Sequence, residues 1–211
     1  NLLRELLEEL KKKYHSIEFA YLLAEGKPVE KIVELSEKQA FDLIVMGTKG
    51  TTDADNKTMG SVTADVIRKT RQTLLAVPER ANYQEIKKIV YALDFEDFNK
   101  KSFDNLYDFA QRLNFETILL HVSEVSNYME EEKMKHYREI AEQVSNYDNL
   151  HFEFVEGADV SETIEEFVKN NAINILAMLT RDYHLIEKAY HKSFTKKMLF
   201  HCDHPLLVFH Q

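Results

Sequence analysis

The sequence predicts an α/β fold made of two copies of a doubly wound parallel five-stranded sheet, the first copy incomplete. Three observations lead there. Short apolar runs alternate along the chain with longer amphipathic segments, as crossovers between parallel strands require. A shift of 132 residues lays Ala40–Met46 (AFDLIVM) on Ala172–Met178 (AINILAM) and Leu74-Leu75 on Leu206-Leu207. The 211 residues, 44% hydrophobic and 30% charged, have an ordinary globular composition, enough for one large domain or two small ones.

The elements follow in order. Residues 1–14 carry Leu2, Leu3, Leu6, Leu7, Leu10 and Tyr14 at helical spacing, with Glu and Lys opposite. Ile17–Ala24 is apolar and aromatic and is closed by Glu25-Gly26, which predicts a strand and a turn. Pro28 opens a helix through Val29, Ile32, Val33 and Leu35, proline being tolerated in a first turn. Phe41–Met46 is almost wholly apolar, as strands buried on both faces are. A loop through Gly47–Met59 leads to a helix from Gly60 to Thr70 and a strand Thr73–Val77, stopped by Pro78.

Glu79–Glu85 is polar and reads as a linker. Beyond it come strand Ile89–Leu93, helix Lys100–Leu113, strand Thr117–Val122 and a long charged helix Tyr128–Val144. Strand Leu150–Val155, helix Val160–Asn170, strand Ile173–Leu179, helix Phe194–Phe200 and strand Leu206–Phe209 complete the chain.

The turns Glu25-Gly26 and Glu156-Gly157 also match, with a one-residue adjustment. Two domains are therefore expected, at 1–80 and 83–211. The second holds five strands and the first three, because nothing in the first corresponds to residues 83–125. In a sheet ordered 3-2-1-4-5 the absent strands would lie between those that remain. The chain is thus expected to lack N-terminal residues, and the missing initiator methionine agrees with that.

Charge and composition narrow the function. Twenty-seven basic residues against 36 acidic ones give −9, which leaves nonspecific nucleic-acid binding little footing. No apolar run approaches the ~20 residues that span a bilayer, and the first residues do not read as a secretory signal. Cys202, the single cysteine, cannot form an internal disulfide, which points to a reducing, cytoplasmic setting.

Specific chemistry concentrates in Gly47-Thr48-Lys49-Gly50, nine further residues, then Gly60-Ser61. The motif follows a strand and runs into a helix start. Glycines there let the backbone approach a ligand closely, and the free amides of a helix N-terminus attract phosphate. Ser61 can bond the same anion or cap the helix. The glycines alone fit equally a tight turn with a capping serine.

The spacing G-x2-G-x9-G-S directly after Val45-Met46 resembles the ATP-binding motif of the universal stress protein family. The likeness extends to Glu25-Gly26-Lys27-Pro28, to the short strand Leu74–Pro78 (LLAVP), and to Ile89–Phe95 (IVYALDF) followed by Leu119–Val122 (LLHV). It implies an adenine nucleotide alpha hydrolase-like fold. By the same resemblance Gly47, Gly50, Gly60 and Ser61 match triphosphate- and ribose-binding positions, and Met46 and Val62 match neighbouring contacts. ATP is the implied ligand, and Mg can accompany its phosphates. Leu179, Asp182, Lys192 and Ser193 stand at the equivalent positions of the second copy, where only the serine fits the motif. Asp94 and Val122 match the family's adenine-side positions, but without a cradle beside them.

Other signals point to less. Asp53, Asp55 and Asn56 could hold a divalent cation but lack the further ligands of a calcium loop and suit a solvated loop. His201-Cys202-Asp203-His204, with His184 and His191 upstream, lacks zinc-module spacing and suits a helix end. No G-x-S-x-G elbow and no Walker lysine-serine pair occurs, so binding is expected rather than catalysis. The expectation is a stress-response module whose first copy binds an adenine nucleotide and signals to a protein partner, its second copy being structural. A nucleotide-independent scaffold and a weak ATPase are the alternatives. The last strand of each copy is expected to pair with the other, antiparallel, bringing Leu75 or Val77 against Leu207 or Phe209; the same edges could also serve a homodimer.

Overall fold

In the computed structural model the described residues are 2–39, 41–48, 60–79, 81, 85–92, 100–123, 131, 132, 134–136, 138, 139, 142, 149–180 and 204–210. They form α1 (Leu2–Lys13), α2 (Pro28–Lys38), β1 (Ile44–Gly47), α3 (Ser61–Lys69), β2 (Leu74–Val77), β3 (Lys88–Ala92) and α4 (Lys100–Leu113). Then come β4 (Glu116–Ser123), β5 (Leu150–Glu156), α5 (Val160–Asn170), β6 (Ile175–Thr180) and β7 (Leu206–His210). The expected helix 194–200 lies outside the described residues, and those described between 131 and 142 are helical.

Local chemistry explains the helices. Pro28 sits in the first turn of α2, where its missing N–H costs nothing. On the outer face of α2, Glu34 bonds both Lys31 and Lys38, at 2.8 and 2.6 Å. Those two ammonium groups, Lys31 foremost, hold its carboxyl down at about 2. Asp159 caps α5 by accepting the Glu162 N–H at 3.0 Å. Two helices end on a residue in the left-handed region: Asn114 (φ 53) after α4 and Ala172 (φ 52) after α5. The next N–H reaches back into the last turn each time, Phe115 to Ala110 and Ile173 to Val168.

All seven strands join one sheet, in the order β1-β2-β7-β6-β3-β4-β5. From β7 to β5 every pair is parallel. That unit has the doubly wound order expected of the second copy. β1 and β2 are also parallel, and their register reproduces that of β6 and β7 after the 132-residue shift. Ile44 faces Leu74 as Leu176 faces Leu206, and Gly47 faces Val77 as Leu179 faces Phe209. The two halves meet at β2 and β7, the only antiparallel pair among the described residues, with Leu74 opposite Val208, Leu75 opposite Leu207 and Ala76 opposite Leu206.

Side chains alternate across this sheet into two apolar layers. One holds Val66 and Ile67 of α3 and Ile164 and Val168 of α5 against Leu74, Ala76, Leu176, Leu206 and Val208. The other holds Phe103, Leu106 and Ala110 of α4, with Met134, against Ile89, Tyr91, Ala177, Leu207 and Phe209. Both layers cross the seam between the halves.

The first half departs from the sequence reading in two places. Ile17–Ala24 forms no strand and is largely exposed. Its counterpart β5 pairs with β4, and among the described residues the first half has no strand equivalent to β4 beside it. An apolar, β-prone run does not become a strand without a partner ladder. The strand expected at Phe41–Met46 forms at Ile44–Gly47 and is not buried on both faces: Val45 is 59% exposed. The equivalent Ala177 is fully buried, because β6 has β3 beside it and the α4 layer above it.

Asn174 shows how β3 is held on that flank. Its Oδ1 accepts the Lys87 and Lys88 N–H groups at 2.8 and 2.9 Å, while its own N–H donates to the Lys88 carbonyl. In the first half the same position is Asp42, 98% exposed and 3.9 Å from Arg112. Asn174→Ala would orphan two backbone donors and is expected to cost ~1–2 kcal/mol. Asn174→Asp keeps both acceptors and should cost much less. Urea melts of the two variants check this ordering.

Among the described residues no helix is long and apolar enough to cross a membrane, and no cluster of His, Cys, Asp and Glu could hold a metal ion.

Candidate functional site

β1 ends on Gly47 and α3 begins at Ser61, so the end of an edge strand and the start of a helix lie side by side. Three hydrogen bonds fix that junction. The Thr48 N–H donates to the Val77 carbonyl at 3.0 Å, extending the β1–β2 ladder by one residue. The Thr48 carbonyl accepts the Gly60 N–H, and the Thr63 hydroxyl donates to the Gly47 carbonyl at 2.7 Å. The strand end is thereby tied both to its neighbouring strand and to the first turn of α3.

Gly60 is the N-cap of α3, in an extended conformation (φ −58, ψ 144), and no side chain caps the helix. The first intrahelical bond runs from the Ala64 N–H to the Gly60 carbonyl at 3.2 Å. The Gly60 amide is engaged by Thr48, so the helix-start amides left for an external acceptor are those of Ser61, Val62 and Thr63. They carry the positive end of the helix dipole, while Arg68 and Lys69 sit in the last turn. Ser61 and Val62 are exposed, and Gly60 and Thr63 are buried.

Gly47 supplies the space. A Cβ built there meets no described atom within 4 Å. That direction is the one Leu179 takes in β6, away from the layer that holds α3. What the junction itself offers a phosphate-bearing ligand is the bare backbone end of β1 bonded to a helix start with no side-chain cap bond. Met46, one residue earlier, is half-buried in β1.

The structure brings together Met46, Gly47, Gly60, Ser61 and Val62 of the expected site. Gly50 lies outside the described residues, as do the candidate cation ligands Asp53, Asp55 and Asn56. Thr48 and Thr63 were not singled out from the sequence. Gly60-Ser61-Val62-Thr63 is not a Ser/Thr-x-x-Glu/Gln capping box, so no local pattern in the sequence marks Thr63.

The second half differs at the same place. Leu179, the counterpart of Gly47, is buried at the end of β6, opposite Phe209 and within the apolar layer under α4. A leucine side chain thus stands where Gly47 leaves space. Val122 is buried in β4 beside Val155. Asp94, Asp182, Lys192, Ser193 and the histidine–cysteine cluster 201–204, apart from His204, lie outside the described residues.

Comparison with known proteins gives this arrangement a context. The model of the universal stress protein family matches residues 2–78 and again 85–210. A universal stress protein of Methanocaldococcus jannaschii is 33% identical over 76 residues, 35% of this chain and 47% of that relative. A second one from the same organism is 44% identical over 55 residues, 26% of this chain and 32% of the relative. The chain therefore spans half or less of the length of these curated relatives. The crystal structure of a universal stress protein from Archaeoglobus fulgidus superposes with a TM-score of 0.74 at 17% identity, over 98% of this chain and 77% of that one. At that identity the likeness speaks for the fold.

Proposed function

The chain belongs to the universal stress protein family, and from that premise we propose that its first repeat binds ATP or a related adenine nucleotide while its second is structural. A stress-response role follows from the family. The nucleotide reading is carried by one observation: the glycine end of β1 is bonded directly to the start of α3, whose N-cap Gly60 makes no side-chain cap bond. Gly47, Gly50, Gly60 and Ser61 would surround the phosphates, Met46 and Val62 would flank them, and Mg would travel with the nucleotide. The contrast within the chain supports this assignment, because Leu179 fills the equivalent space in the second repeat.

In this reading the protein binds and does not turn over its ligand, and works in the cytoplasm. Occupancy alters the surface around residues 47–60 and thereby the recognition of a protein partner. Two copies of the chain could also associate through the open edge of β1.

The test is a thermal melt with and without ATP. A ligand at 100 times its Kd stabilises a protein by ~2.7 kcal/mol, which is read as a raised midpoint. The parent chain should show that shift and Gly47→Leu should lose it. A Cβ at 47 meets no described atom within 4 Å, and the equivalent residue of the second repeat is a leucine, so the variant should fold normally in the absence of ATP. An unchanged midpoint for the parent at millimolar ATP would instead favour a nucleotide-independent scaffold.

A further inference from the structure

We infer that Thr63 is the positioning residue of the first-repeat site, locking the first turn of α3 onto the end of β1; this rests on the nucleotide reading above. Thr63 is only 3% exposed, and its hydroxyl leaves its own helix to reach the Gly47 carbonyl at 2.7 Å. That is not the ordinary habit of a helical hydroxyl in this chain. Thr163 bonds the Asp159 carbonyl, four residues back in its own turn, and Ser36 bonds the Val33 carbonyl, three back.

A polar group at the third helical position commonly turns back to the N–H of the capping residue. Here that N–H, on Gly60, already donates to Thr48. The hydroxyl is therefore free to cross to the strand. Two successive strand carbonyls, Gly47 and Thr48, consequently both end on the start of α3. One bond would allow the helix start to pivot about it. Two from adjacent residues fix its orientation, and with it the direction of the Ser61, Val62 and Thr63 amides relative to the end of β1. A site pre-set in this way does not have to be ordered by its ligand, which preserves affinity.

The experiment uses the full chain with Thr63→Val, which keeps the branched shape and removes the donor, and Thr63→Ser, which keeps the donor. ATP affinity is measured by calorimetry, and exchange of the Gly60 N–H by NMR. Thr63→Val should bind ATP about 10-fold more weakly, as a sub-ångström loss of placement does. It should also exchange its Gly60 amide faster, while amides in the middle of α3 stay protected. Thr63→Ser should restore both readings to near the parent values. Should Thr63→Val not fold, Thr63→Ala removes the same donor and is read in the same way.

A folded Thr63→Val or Thr63→Ala that binds ATP like the parent overturns the inference and leaves the nucleotide reading standing. So does a serine variant as weak as the valine one, since shape rather than the hydroxyl would then decide. A parent chain indifferent to ATP overturns the nucleotide reading itself and this inference with it, and that outcome is visible before any variant is made.

Discussion

Val208→Asp should unfold most of the protein under conditions where the parent is native. Val208 is fully buried, opposite Leu74 across the antiparallel seam and beside Met178 on its other flank. The described residues packed around it (Leu74, Ala76, Leu176, Leu206, Ile67) are all apolar. An unpaired carboxylate there costs ~3–5 kcal/mol even after relaxation, against a total stability of ~5–15 kcal/mol for a typical domain. The seam has little to spare: it comprises three residue pairs, with Pro78 following β2 and Pro205 preceding β7. Neither proline can donate to a ladder, so side chains on both faces supply much of the contact. Val45→Asp, on the exposed face of β1, is the control and should cost ~1 kcal/mol or less. Urea denaturation followed by circular dichroism separates the two. A Val208→Asp chain as stable as the parent would mean that the halves do not rely on this contact.

Leu176→Ala is expected to cost ~2–5 kcal/mol, the range for a large-to-small change in a close-packed core. Leu176 is fully buried on β6, paired with Val90 on one side and Leu206 on the other. Neighbours held in ladders on both sides can collapse little into the cavity. Ile44 occupies the same place in the first repeat, facing Leu74, but it is only half-buried, on a strand with no neighbour on its outer side among the described residues. Ile44→Ala should therefore cost about 1 kcal/mol, because less surface returns to water. Matched denaturant melts test the pair. Equal losses would imply that the edge of β1 is covered in solution.

Much of this architecture was legible in the sequence because the repeat constrains it. A shift that aligns Ile44 with Leu176 and Leu74 with Leu206 fixes the pairing register as well as the element order. Glycine spacing placed Gly47 and Gly60 at one junction. The sequence misled at Ile17–Ala24, where composition favoured a strand and no described strand lies beside it to pair with. It also misled at Val45, because an apolar run reads alike whether its outer face is covered or bare. Asn174 and Thr63 escaped notice for a different reason. Their partners, Lys87 with Lys88 and Gly47, are set by the fold, and no local pattern announces a side-chain bond that spans 86 or 16 residues.

The antiparallel seam also gives the molecule two poles. β1 and β2 finish at one rim of the sheet, whereas β3 to β7 finish at the other. In open α/β sheets ligands settle outside the carboxyl ends of the strands. The first repeat therefore presents its glycine junction in one direction, and the second presents the ends of its strands in the opposite one. Near the seam, where β1, β2 and β7 are four or five residues long, the two rims lie ~15 Å apart. A ligand seated at the Gly47 rim would therefore lie at the opposite end of the sheet from the ends of β3 to β7. The two rims are joined by the three residue pairs at β2 and β7 and by the apolar layers that cross them.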